Sequence, residues 1–159
     1  MSKESLESVA VSTEPSLDIL WGRHDYQLDP KKRLTIPSEW RGNFGNVVYV
    51  MPDRKEKCLN LYPRAEMEAF LNQLRAKALL DPALNRVYAM IGAVSQTLTF
   101  DGQGRIRICD KLLQFANLTT TVAMVGSLRM VKLYSPAVLP PEDEVNMDAI
   151  DMALTAAGL

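Results

Sequence analysis

Histidine occurs once in the 159 residues, at His24, and cysteine twice, at Cys58 and Cys109. So few ligating and nucleophilic side chains exclude a good deal of chemistry. The two cysteines stand far apart, with no second Cys or His at ligand spacing, so neither a zinc site nor a disulfide framework is indicated. Both are expected to be plain buried thiols. No GxSxG, HExxH or GxxxxGK[ST] pattern is present, so the reading is not an enzyme, with no catalytic residue, cofactor or metal expected. No apolar run approaches the roughly 20 residues that span a bilayer, so no membrane partner is expected. The first 20 residues are rich in Ser, Glu and Thr and lack an apolar core behind a basic start, which does not read as a secretory signal. The expectation is a cytoplasmic protein whose residues 1–19 form a disordered extension.

What is present is charge, unevenly distributed. The net of −1 hides three regions. Residues 1–20 carry one Lys against Glu4, Glu7, Glu14 and Asp18, and residues 136–159 carry five acids and no base. Residues 21–135 hold 17 Lys or Arg and 10 Asp or Glu, a net of +7. Acidic ends flank a basic body, which suits a polyanion partner but is also common in proteins that bind none.

The strongest feature is an internal repeat. Shifting the chain by 72 residues places Leu28-Asp29 on Phe100-Asp101, Arg33-Leu34-Thr35-Ile36 on Arg105-Ile106-Arg107-Ile108, and Leu61-Tyr62 on Leu133-Tyr134. Each copy reads as a short strand, a tight polar turn, a second strand, a short helix and a hairpin. Tyr26 and Leu28 alternate with polar neighbours before the first turn, and Leu34 and Ile36 after it, which predicts that the two strands pair with each other. Pro37 ends the strand and pre-sets a helix over Ser38 to Arg41. In the second copy Asp110 is the expected cap of a helix over Lys111 to Ala116.

The predicted hairpins join Val47–Met51 to Cys58–Tyr62 and Val122–Gly126 to Arg129–Tyr134. The second turns within Gly126-Ser127-Leu128, where Gly126 is expected to supply a positive φ. Between the copies, Met67, Phe70, Leu71, Leu74 and Ala78 trace one stripe of a helix opened by Pro63. Leu84, Val87, Tyr88 and Ile91 trace another after Asp81-Pro82. Both stripes read as packing surfaces. A short terminal helix around Val145, Met147, Ile150 and Leu154 is predicted within residues 140–159.

For the remaining candidates the plain reading is structural. His24 lies before the first strand without a ligand partner, and Trp21 and Trp40 read as core or subunit-contact residues. Asp29 and Asp101 each open a tight turn, accept hydrogen bonds from amides two residues on, and precede an Arg by four residues. Two readings of Arg33 and Arg105 stay open. One is salt bridges that hold the turns; the other is guanidinium groups held rigidly for phosphate or for the O6 and N7 edge of guanine. Lys31, Lys32 and Arg107 nearby suit phosphate contacts.

The stretch WGRHDYQLDPKKRLTIPSEWR, the second DGQGRIRI and the two hairpins ending in Leu-Tyr resemble the MraZ family over about residues 20–139. That resemblance implies an α+β fold of two pseudo-symmetric SpoVT/AbrB-like halves, barrel-like and with swapped hairpins, joined by the amphipathic helices. On that plan residues 20–66 and 94–139 are the repeats, 67–93 the linking helices and 140–159 an acidic tail. The resemblance implies a bacterial, nucleoid-associated transcriptional regulator of the division and cell-wall gene cluster. Its partners would be double-stranded DNA with repeated G-rich boxes upstream of its own gene, and further copies of itself in a ring. Carried over by position, the DNA-binding elements are the DxxxR turns with Asp29, Lys31, Lys32, Arg33, Asp101, Gln103, Arg105 and Arg107, and Gly102 and Gly104 are turn-forming. The family usually has Gly where this chain has Lys32, so a positive φ there would be strained. The alternative is a protein of the same fold that captures a partner protein through its tail, as antitoxin-like relatives do.

Overall fold

The computed structural model describes residues 19–139 and 145–159; the disorder expected for the N-terminal extension falls almost wholly outside them. The fold is α+β, with an antiparallel six-stranded sheet, a separate two-stranded ribbon and five helices among the described residues. In chain order the elements are β1 (Arg23–Gln27), β2 (Arg33–Thr35), α1 (Ser38–Phe44), β3 (Val47–Asp53), β4 (Cys58–Tyr62), α2 (Arg64–Ala78) and α3 (Ala83–Val94). Then follow β5 (Gln96–Thr99), β6 (Arg105–Arg107), α4 (Asp110–Phe115), β7 (Thr121–Gly126), β8 (Val131–Tyr134) and α5 (Met147–Ala156).

The predicted pairing of β1 with β2 does not form. The main sheet runs β1-β7-β8-β4-β3-β5, and β2 pairs instead with β6. One closure survives at the turn, where Asp29 N donates to Arg33 O at 3.0 Å. Beyond it the strands diverge, and Leu28 N donates to Thr120 O at 2.8 Å. Strand pairing is thus exchanged between distant parts of the chain: Tyr26 faces Val122, and Val48 faces Leu98. In the ribbon Leu34 faces Ile106, and at the sheet centre Asn60 faces Lys132, both pairs of residues 72 apart. The hairpin registers place Val50 opposite Leu61 and Met124 opposite Leu133, so β3 corresponds to β7 at 74 residues rather than 72. The shorter second hairpin loop restores the original offset.

The core lies between the ribbon and the inner face of the sheet. Leu34, Ile36, Ile106 and Ile108 from the ribbon segments meet Val48, Val50, Leu59, Leu61, Val122, Met124, Val131 and Leu133, all essentially inaccessible. Trp40 and Phe44 of α1 and Leu112 and Leu113 of α4 close the sides. All five residues of β4 are buried, because α2 and the 53–57 turn cover the outer face of this central strand. On that face Met67 is buried with Met51 and Tyr62, and Phe70 and Ile91, one from each linking-helix stripe, pack half-buried against them. Leu71 is exposed, and α3 has no buried residue.

Several local expectations need correction. Gly126 does not take a positive φ; Leu128 does, at 67°. Gly126 is required instead because the backbone of Leu20 and Trp21 passes so close that a methyl group would overlap it. His24 sits within β1, not before it, bonds Glu39 and lies edge-on to Trp40. Trp40 is buried, with its indole N–H donating to Trp21 O at 2.9 Å, but Trp21 itself is 64% exposed and so is not a core residue. Asp110 opens α4 without capping it; Cys109 holds the N-cap position without a side-chain hydrogen bond and is only half-buried. The terminal helix forms over Met147–Ala156, with Asn146 Oδ1 accepting from Ala149 N at 3.0 Å.

Because Leu34 and Ile106 are each 1% exposed and hold the ribbon against the core, Leu34→Ala is expected to destabilise the protein by about 2–5 kcal/mol. Urea unfolding measures this, and a loss below about 1 kcal/mol would contradict the packing described.

Candidate nucleic-acid interface

The two DxxxR segments build the same object. In the first, Asp29 Oδ1 accepts from the amides of Lys31 at 2.9 Å and Arg33 at 2.7 Å, while Oδ2 accepts from Arg33 Nε at 2.6 Å. In the second, Asp101 Oδ1 accepts from the amides of Gln103 and Arg105, both at 2.9 Å, and Oδ2 accepts from Arg105 Nε at 2.7 Å. A backbone bond closes each turn, from Lys32 N to Asp29 O at 2.8 Å and from Gly104 N to Asp101 O at 3.0 Å. The residue that donates it is left-handed in both, with φ 59° at Lys32 and 75° at Gly104. The lysine therefore adopts the glycine conformation despite its Cβ, at a cost of roughly 1 kcal/mol. Of the two glycines expected to form the turn, only Gly104 has a positive φ.

Carboxylates that accept this many bonds are held ionised. The Arg33 amide, followed by its guanidinium, lowers the pKa of Asp29 against a partial desolvation cost. The Arg105 amide, with the Arg105 side chain and the Gln103 amide, lowers Asp101 from the ordinary 3.8 to about 2. Each aspartate thus binds the backbone with one oxygen and aims its arginine with the other. Bonding through Nε leaves the terminal edge of the guanidinium, with its parallel N–H groups, as the part available to a ligand.

The ribbon brings the turns together. Arg33 faces Arg107 and Thr35 faces Arg105 across β2–β6, and Arg105 Nη1 lies 3.8 Å from Asp29 Oδ2. The basic neighbours are arranged unequally. Lys32 Nζ and Arg107 Nη2 both donate to Asp110 Oδ1, at 3.2 and 3.1 Å, so the helix cap anticipated at Asp110 is instead a counter-ion to two of the expected phosphate contacts. Those bonds depress the Asp110 pKa, that from Arg107 most. An exposed pair of this kind is worth only about 0–1 kcal/mol, so a phosphate can displace it. Lys31 and Gln103 are exposed, and among the described residues their side chains make no hydrogen bond or ion pair.

One cationic side chain at these turns was not singled out from the sequence. Arg41 of α1 donates from Nε to Ile36 O at 2.9 Å and lies against Gly104. Nothing in the local sequence marks it, since the residue 72 positions later is Leu113.

A second polar cluster lies on the opposite, outer face of the sheet. Asp53, Glu56 and Cys58 bring metal-ligating atoms together, but the Lys132 ammonium lies among them, 3.1 Å from Asp53, 3.0 Å from Glu56 and 3.1 Å from Asn60 Oδ1. Tyr134 OH donates to Glu56 at 2.6 Å. Burial pushes the Cys58 thiol up to about 11, so it stays protonated, as a plain buried thiol does. This network ties the 53–57 turn to β8.

Comparison with known proteins identifies the family. The family described as "MraZ protein, putative antitoxin-like" matches residues 19–87. A protein of Thermomicrobium roseum named Transcriptional regulator MraZ is 30% identical over 115 residues, covering 72% of this chain and 80% of its own length. The chain belongs to the MraZ family. Proteins of the same name from Mannheimia succiniciproducens (31% over 119 residues, 72% of this chain and 78% of that one) and Salmonella typhi (30% over 127 residues, 77% and 83%) match comparably. Among the described residues no helix is long and apolar enough to cross a membrane.

The Asp101 value carries a sign. A carboxyl whose pKa falls on folding stabilises the protein above its unfolded pKa, and that contribution is lost as pH drops through the folded one. The second turn should therefore stay intact down to the ordinary aspartate range and loosen between 3.8 and about 2. Carboxyl-carbon NMR should give Asp101 a midpoint near 2; an ordinary midpoint would show that the amide bonds do not form in solution.

Proposed function

We propose that this protein is a sequence-specific, double-stranded-DNA-binding transcriptional regulator that reads its site with the two DxxxR turns. The observation that carries the reading is the β2–β6 pairing, which sets two identically braced arginines on one ribbon. Two contact points at fixed separation suit a duplex, and the net of +7 on residues 21–135 suits its phosphates. The relatives' name, Transcriptional regulator MraZ, supports the same conclusion.

In finer terms, Arg33 and Arg105 contact base edges or the phosphates beside them, while Lys31, Lys32, Gln103 and Arg107 contact the backbone. The matched ladders support two pseudo-symmetric SpoVT/AbrB-like halves about an axis through the Leu34–Ile106 and Asn60–Lys132 pairs. The site would be direct-repeat boxes upstream of the division and cell-wall gene cluster, engaged by a nucleoid-associated ring of copies. Weak single contacts gain effective concentration when both protein and site are repeated.

Gel-shift titration against the DNA upstream of the protein's own gene tests this. Arg33→Ala and Arg105→Ala should each cost about 1–3 kcal/mol of specific binding. Wild-type affinity in both variants would refute the assignment.

A second reading, capture of a partner protein by the tail, is favoured by one observation. Helix α5 keeps Met147, Ile150, Met152 and Leu154 exposed, so among the described residues its apolar face has no cover. Deleting residues 140–159 separates the readings. DNA binding should survive the deletion, whereas capture of a partner protein should be lost.

A further inference from the structure

We propose that Arg41 is a phosphate-contacting residue seated on the second turn, an inference that rests on the DNA-binding reading above. Three observations lead to it. A methyl group at Gly104 would overlap Arg41 Cζ, Nη1 and Nε, so the guanidinium lies directly on the bare Cα of that glycine. Gly104 is buried for this reason, although Asp101, Gly102 and Gln103 around it are exposed. The guanidinium is also fixed from behind: Arg41 Nε donates to Ile36 O at 2.9 Å, and Ile36 N donates to Gly104 O at 3.0 Å. Arg41, the end of the β2 segment and the second turn therefore form one rigid unit.

The third observation is charge. Arg33 is paired with Asp29, Arg105 with Asp101, and Arg107 with Asp110. Arg41 is half-buried and has no carboxylate within ion-pair distance among the described residues. It is thus the arginine of this surface whose charge is not already balanced, and its orientation is set before any ligand arrives. A guanidinium held through Nε still presents its terminal N–H groups to a phosphate, with little side-chain entropy left to lose. The first turn has no equivalent. Lys32 carries a side chain where Gly104 has none, and the position matching Arg41 is the buried Leu113.

Arg41 could alternatively serve only to cover Gly104, and salt dependence separates the two roles. Binding is followed by fluorescence anisotropy across a salt series. The probes are a duplex from upstream of the protein's own gene and a mixed-sequence duplex; the proteins are wild type, Arg41→Gln, Arg41→Lys, Arg33→Ala and Arg105→Ala, with a thermal melt of each. Arg41→Gln should weaken both duplexes alike, by roughly five- to tenfold near 0.1 M salt, and reduce the salt slope by about one per subunit engaged. Arg41→Lys should keep the slope. A wild-type slope and affinity in Arg41→Gln, while Arg33→Ala and Arg105→Ala lose specific binding, would overturn this inference alone. So would a lowered melting temperature in both Arg41 variants with the slope unchanged. Absence of duplex binding by the wild type, or wild-type binding by both Arg33→Ala and Arg105→Ala, would overturn the DNA-binding reading and this inference with it.

Discussion

Three residues of antiparallel pairing between Arg33–Thr35 and Arg105–Arg107 decide the architecture. Each strand alone is too short to be stable, and neither pairs with the strand that precedes it in the chain. Apart from the turn bonds to Asp29 and Asp101, their ladder bonds run to each other, and their central residues, Leu34 and Ile106, are buried in the shared core. Forming the ribbon therefore requires both ends of the chain to be in place. Once it forms, the rest is constrained. The segments before the two turns are directed outward to pair with β7 and β3, and the helices after it close over the sides of the core. A sheet assembled in this way cannot be divided into halves that fold by local contacts.

That constraint explains what was legible in the sequence and what was not. Turn chemistry is local, so Asp29-x-x-x-Arg33 and Asp101-x-x-x-Arg105 could be read from spacing alone, and the amide and guanidinium bonds follow the pattern expected of them. Pairing is not local. Alternation in Tyr26, Leu28, Leu34 and Ile36 shows which side chains face inward, but it is indifferent to which strand lies alongside. A β1–β2 hairpin and the observed exchange bury the same residues. Gly126 illustrates the same limit: a glycine in a short turn suggests positive φ, whereas here it admits the backbone of Leu20 and Trp21, over 100 residues earlier in the chain. Asp110 reads as a cap from its neighbours and becomes a counter-ion through Lys32, a residue from the other repeat. Arg41 was not legible at all, because its significance lies in Gly104, which the fold places beside it.

Bracing an arginine with an aspartate sets a negative charge beside the positive one that DNA would attract. The geometry resolves this. The carboxylate bonds at Nε and spends its other oxygen on two amides, so its charge is spread over the turn rather than set against the guanidinium alone. What the pair loses in Coulomb attraction it recovers in orientation, because a guanidinium with fixed torsions has less entropy to lose in a bidentate contact. On the proposed reading such an arrangement favours discrimination over bare affinity, with affinity supplied by Lys31 and by the exposed pairs that phosphate can displace.

The two turns meet the same geometric demand with different chemistry, and the difference is not neutral. Both need a left-handed residue before the arginine. The second uses Gly104 and gains a flat surface on which Arg41 can rest. The first uses Lys32, accepts the strain of a Cβ in that region, and gains an ammonium that reaches Asp110. A glycine in the first turn would relieve the strain but remove a cation, and a lysine in the second would add one but unseat another. The residues around the two turns thus suit one to a fixed planar group and the other to an ammonium paired with Asp110. On the proposed reading, a duplex bound by this ribbon would meet a fixed guanidinium at one turn and an ammonium paired with Asp110 at the other.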